Sequence, residues 1–213
     1  MHHVLRRTAT GLGGGALAVS AFALAPNAAH AAQPLAAEAT AASSTAVAAT
    51  TTALKYDCYT TKAGIKIGLG TWPASVTVTA PLTATVGSVV TAPSVGAAIT
   101  VPSGTTSTLR LLGISSLTGS ATVWYSATGA VKSPGNRTTT VTVPTVKVPS
   151  SGSFPVSLTG GPISETAASS PGTATFNIGA LVSTLKTNTG KSLPIVCTPP
   201  AGQSLVVLNV AIK

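Results

Sequence analysis

From Leu54 onward, apolar residues alternate one for one with small polar residues along much of this chain. Ile65, Ile67 and Leu69 alternate with Lys66 and Gly68, and Val76 and Val78 with Ser75, Thr77 and Thr79. Residues 138–143, 156–158 and 205–212 repeat the theme. Period two sends successive side chains to opposite faces of a strand, so one face meets a core and the other meets solvent. Thr and Val dominate the runs, and both sit comfortably on a pleated surface. Gly, Pro, Ser and Asn interrupt the runs at short intervals, as at Pro73, Pro81, Gly87, Pro93, Pro102, Pro134-Gly135-Asn136, Gly160-Gly161-Pro162 and Pro171-Gly172. Short strands at that spacing predict an all-β, immunoglobulin-like antiparallel β-sandwich, because a parallel sheet would need crossover helices.

Two stretches depart from the alternation. Residues 105–112 carry Leu109 and Leu112 at i, i+3, with Ser103 as cap and Gly113 as stop. Residues 178–186 carry Leu181, Val182 and Leu185 on one helical face. Both are expected to be short helical turns plugging the ends of the sandwich.

The chain begins differently. Arg6-Arg7 is followed by an apolar, charge-free stretch from about Gly11 to Ala25, then Pro26, then Ala29-His30-Ala31. A basic start, a short apolar run and small residues at a cleavage site make a secretory signal peptide over residues 1–31, cut between Ala31 and Ala32. The apolar run falls short of the roughly 20 residues a membrane-spanning helix needs. Export by the general route or by one that reads twin arginines both stay open. Residues 32–53 are mostly Ala, Thr and Ser, with little bulky apolar area to offset ordering, and are expected to form a disordered tether. Residues 54–213 then form one domain, with no further segment long and apolar enough to cross a bilayer.

The leader removes nearly all the reactive chemistry. His2, His3 and His30 are the chain's histidines, and none lies beyond residue 31. The acids are Glu38, Asp57 and Glu165. Loss of Arg6 and Arg7 leaves ten basic residues against three acids, a net charge of +7. An exported chain with this balance is drawn to anionic partners: cell-wall polymers, acidic lipid or acidic glycans. The basic residues are scattered, with no arginine cluster interleaved with aromatics, so nucleic acid is not an expected partner.

Cys58 and Cys197 stand near the two ends of the predicted domain. An exported chain with one even pair is expected to join them as a disulfide. Two thiols and two distant carboxylates do not make a metal site, and redox pairs are usually close in sequence. The bond would clamp the first strand to the penultimate one.

Several of these elements recur together. Tyr56-x-Cys58 follows an Ala-rich tether, and Pro81 and Gly87 lie between Val-rich strands. Leu109-x-x-Leu112-Gly113 precedes Gly119, and Pro194-x-x-Cys197 comes late. With this spacing the chain resembles a domain of unknown function found in secreted actinobacterial proteins, over about residues 54–197. The resemblance implies an extracytoplasmic, disulfide-closed β domain and carries over no catalytic residue, metal or cofactor.

Enzyme readings find little support. Ser–His catalysis has no histidine to use. Ser183-x-x-Lys186 matches a Ser–Lys pattern and would share a face on a helix, yet its companion motifs are missing. Glycoside hydrolysis would have to rest on Asp57 and Glu165, expected respectively to be a local partner in a strand and a solvated loop residue. The expected function is therefore a non-catalytic adhesion, wall-associated or scaffold domain, secreted or held at the envelope. A carbohydrate-binding module is the alternative, with Trp72 or Tyr125 exposed to stack on sugar rings. A hydrolase is the disfavoured second alternative.

Overall fold

The computed structural model describes residues 47–62 and 64–213. The predicted signal peptide, the cleavage point at Ala31 and Ala32, and the tether as far as residue 46 lie outside the described residues. Twelve strands and one helix follow in chain order: β1 (Val47–Lys62), β2 (Ile65–Pro81), β3 (Thr83–Ala84), β4 (Val89–Ala92), β5 (Ser94–Val101), α1 (Ser103–Leu111), β6 (Ser116–Gly129), β7 (Gly135–Lys147), β8 (Phe154–Gly160), β9 (Ile163–Thr166), β10 (Gly172–Thr187), β11 (Ser192–Thr198) and β12 (Val206–Ile212).

The chain is all-β, antiparallel-rich and sandwich-like, with a Cys58–Cys197 disulfide. Its layers are not two separate sheets. The strand order runs β11-β1-β2-β5-β8-β7-β6-β10, and β10 pairs in turn with β11, so the hydrogen-bonded circuit closes. Closure removes the exposed edges that an open sheet must otherwise protect. β12 continues from β10 and carries β3 parallel to it, while β4 and β9 form a separate two-stranded ribbon.

β1 begins at Val47, so residues 47–53 are strand and not tether. They pair in unbroken register with β2, from Val47 opposite Pro81 to Ala53 opposite Ser75. The threonines expected to disfavour helix are good strand formers once a partner strand is present. Thr50 donates to the Val207 carbonyl at 2.9 Å, and the Thr51 and Thr77 hydroxyls meet at 3.0 Å.

Of the two predicted helices, one forms. α1 is entered from Pro102, with no side-chain cap, so Ser103 is the first helical residue and not the cap. At its end, Gly113 (φ 74°) donates to the Arg110 carbonyl and Ile114 to the Leu109 carbonyl. This is the paired C-terminal motif that favours glycine in the left-handed region, and the buried Leu109 and Ile114 supply its usual apolar contact. Residues 178–186 instead form the second half of β10. Along the whole of β10 the buried residues are Ala174, Phe176 and Ile178, then Leu181, Ser183, Leu185 and Thr187, and the register shifts between Ile178 and Leu181. Two period-two runs of opposite parity, joined at a bulge, reproduce the i, i+3, i+7 spacing of a helix.

The inward faces form one apolar core. Leu54, Tyr56 and Cys58 of β1 face it together with Val76 and Val78 of β2. Val141 and Val143 of β7 and Val207, Leu208 and Val210 of β12 complete the surround.

Candidate functional site

A large concavity lies at the α1 end of the closed circuit. It is an almost wholly apolar cavity of about 290 Å³. Trp72, Val101, Leu109, Leu117, Leu185 and Cys197 bound its interior. Unfilled apolar space of this kind is costly to a fold, because the side chains that line it lose packing partners. Water inside would find few polar partners. A smaller apolar void of about 60 Å³ lies farther along the core, lined in part by Tyr56, Tyr125 and Phe176.

Local hydrogen bonds fix the walls. The Leu69 carbonyl accepts from the Trp72 indole at 3.0 Å and from the Thr105 hydroxyl at 2.6 Å, which ties α1 to β2. Thr106 lies fully buried beneath the first turn, its hydroxyl donating to the Pro102 carbonyl at 3.2 Å. Cys197, which also lines the cavity, is bonded to Cys58 across directly paired positions of β1 and β11. Just below that bond, the Gln203 side chain accepts from the Lys55 amide at 2.8 Å and donates to the Lys55 carbonyl at 3.1 Å, serving β1 as a strand partner would.

At the mouth the chemistry changes. The exposed lining residues are Thr61, Lys62, Ile67, Thr108, Leu112, Ser192 and Pro194. Ile65, 68% exposed, lies two residues before Ile67, and Leu111, 88% exposed, directly precedes Leu112. Lys66 lies 3.8 Å from the centre of the Tyr59 ring.

The residues proposed for sugar stacking do not form a stacking face. Trp72 is buried, and its ring is a wall of the cavity. Tyr125 is half-buried and donates to the Glu165 carboxylate at 3.3 Å. The exposed aromatic of the adjacent pair is Trp124.

Glu165 is not the solvated loop residue expected from its Gly/Pro/Ser surroundings. It lies on β9, 9% exposed, with Arg137 Nε 3.4 Å from its carboxylate. Register explains the meeting, since Tyr125 of β6 stands opposite Arg137 of β7. Burial raises the Tyr125 phenol above its ordinary range; the Glu165 charge and hydrogen bond raise it further, against a smaller lowering by Arg137. Asp57 accepts from the Thr71 hydroxyl at 2.6 Å, the local role expected of it. Each described acid thus has its own separate partner.

Ser183 and Lys186 do not share a face. On a strand an odd separation sends them to opposite sides, and Ser183 is buried, donating to the Ile195 carbonyl at 3.3 Å, while Lys186 is exposed. Among the described residues no group of three or more His, Cys, Asp or Glu could hold a metal ion, and no helix is long and apolar enough to cross a membrane.

Sequence reasoning missed the cavity because its walls are ordinary core residues. The one available signal was the pair of exposed leucines closing α1, next to the small Gly113 turn.

A closed, disulfide-linked β fold with an apolar cavity under one helix defines the class of this protein. Residues 55–206 match the model of a family of unknown function, DUF6801, and the chain belongs to that family. No curated protein matches the chain. Its fold is similar to a crystal structure described as that of a "Putative membrane anchored protein from Corynebacterium diphtheriae", with a TM-score of 0.54 and 18% identity. The likeness covers 76% of this chain and 37% of that one, so this chain spans well under half the length of that relative.

Proposed function

We propose that this is a non-catalytic binding domain that works outside the cytoplasm, secreted or held at the cell envelope, and that the apolar cavity is its binding site. The observation that carries the reading is the cavity itself: about 290 Å³ of apolar space, open at a mouth that mixes lysine, hydroxyl and leucine side chains. Binding sites are concave, mostly apolar and furnished with a few polar groups at set positions. Eight-stranded closed β structures are wide enough to hold one small ligand.

The disulfide supports an oxidising compartment. The separate engagement of Asp57 and Glu165 supports a role without catalysis, since neither carboxylate faces the other across a cleft. The expected attraction to anionic wall polymers or glycans becomes, in this reading, a means of keeping the domain near the envelope.

The test is titration with an uncharged apolar fluorophore, N-phenyl-1-naphthylamine. The secreted domain is expected to bind one equivalent with enhanced emission. Ala121→Leu, which fills the cavity from its wall, is expected to weaken that binding while leaving the melting transition in place. Absence of any enhancement in the folded wild-type domain would sink the reading.

A further inference from the structure

Taking the cavity as the binding site, we propose that its ligand is a single-chain anionic amphiphile, with the acyl chain inside the cavity and the acidic head at Lys62. The volume sets the chain. An apolar cavity of roughly 150 Å³ accommodates one benzene, six carbons; about 290 Å³ is close to twice that and fits roughly a dozen. The interior walls are aliphatic and indole side chains that offer a methylene chain dispersion contact along its length. They offer almost nothing to a sugar ring or a peptide backbone, whose polar groups would be buried unpaired.

The head group is set by the mouth. Lys62 lines the opening, is exposed, and forms no ion pair among the described residues. Lys66 and Arg110 lie on the two elements that supply the rim, the β1–β2 hairpin and α1. The described acids are engaged elsewhere, Asp57 with Thr71 and Glu165 with Arg137. A carboxylate or phosphate at the mouth therefore meets positive charge and the Thr61 and Ser192 hydroxyls. An uncharged or cationic head gains no such partner.

The rim also indicates how a chain could enter. Ile67 and Leu112 are exposed apolar side chains that line the opening, and the exposed Ile65 and Leu111 stand close to them in sequence, beside Lys66 and Arg110. Apolar side chains flanked by basic ones suit the surface of an anionic bilayer, where an acyl chain would pass from lipid to cavity without crossing water. The same chemistry serves a free fatty acid arriving from solution.

Competition against bound N-phenyl-1-naphthylamine tests the assignment, using octanoate, dodecanoate, octadecanoate and dodecanol. Dodecanoate is expected to bind tightest of the acids. Lys62→Gln is expected to weaken dodecanoate about ten-fold and leave dodecanol and the fluorophore unchanged. Flotation with phosphatidylglycerol or phosphatidylcholine vesicles separates the sources. Capture by the anionic vesicles alone, lost in Leu111→Asp/Leu112→Asp, assigns the membrane; dodecanoate binding without capture assigns free fatty acid. Fluorophore binding with dodecanoate no better than dodecanol, and no effect of Lys62→Gln, overturns the amphiphile while the cavity remains a binding site. Failure to bind the fluorophore overturns the site itself.

Discussion

Cys58 and Cys197 are bonded at the centre of a β1–β11 ladder only three residue pairs long, with their Cα atoms 4.1 Å apart. That short ladder is one link of the closed strand circuit, next to the β10–β11 pairing that completes it. The bond therefore reinforces one of the short ladders of the circuit, between segments 139 residues apart in sequence.

Reduction, or Cys58→Ser with Cys197→Ser, is expected to destabilise the domain strongly. The chain-entropy model gives about 5 kcal/mol for a loop of this length. Denaturant melts of oxidised and reduced protein measure it. Alkylation of the native protein, purified without reductant, gives the complementary check, with no mass shift expected before reduction.

Tyr56 carries a pH signature. Burial among apolar neighbours pushes its phenol up to about 12, against an ordinary value of 10.0. The folded state then holds a proton that the unfolded chain gives up. Stability is intact below pH 10, falls between pH 10 and 12, and is flat above, a loss of about 2 to 3 kcal/mol. Urea melts across that window should show the decline, and Tyr56→Phe should remove that part of the slope.

Glu165→Gln should cost about 1 to 2 kcal/mol, because Tyr125 and Arg137 would lose the charge they share. The figure stays modest because Arg137 is partly exposed and screened. The same substitution should lower the Tyr125 phenol, readable by ultraviolet titration, since the carboxylate no longer opposes its ionisation.

Gly129→Ala should be among the most damaging surface changes. Gly129 ends β6 at φ 75°, and an added Cβ would run into the Thr173 backbone carbonyl. A backbone atom in a paired strand cannot swing aside as a side chain can. The expected loss is about 2 to 3 kcal/mol, measured by thermal melting. Gly152, also at positive φ but in open space, is the control and should lose less when changed to Ala.

The cationic surface should hold the purified domain on isolated cell-wall fractions at low salt and release it at high salt. Absence of retention at low salt would contradict envelope attachment through charge.

Period two, turn residues and the cysteine pair made the strand content, the antiparallel class and the disulfide readable from sequence. So was α1, because its closing turn follows local rules at Gly113. The second predicted helix failed at Gly179-Ala180. A bulge there changes the parity of the buried face, and a change of parity in a strand carries the same spacing as a helical stripe. Glu165 was misjudged because its neighbours suit a loop, while its burial comes from Tyr125 and Arg137 on two other strands. The first seven residues of β1 were misjudged because Ala and Thr carry little apolar signal until β2 supplies the ladder.

The sequence by itself determined that this chain forms strands and which two sulfurs they join. Those properties follow from local periodicity and residue chemistry. Only the tertiary structure decided that the strands close through β10 and β11, that Trp72 lines a cavity and not a surface, and that Lys62 stands at its mouth. Closure and enclosed volume depend on how distant faces fit, and that fit is written in no single stretch of chain.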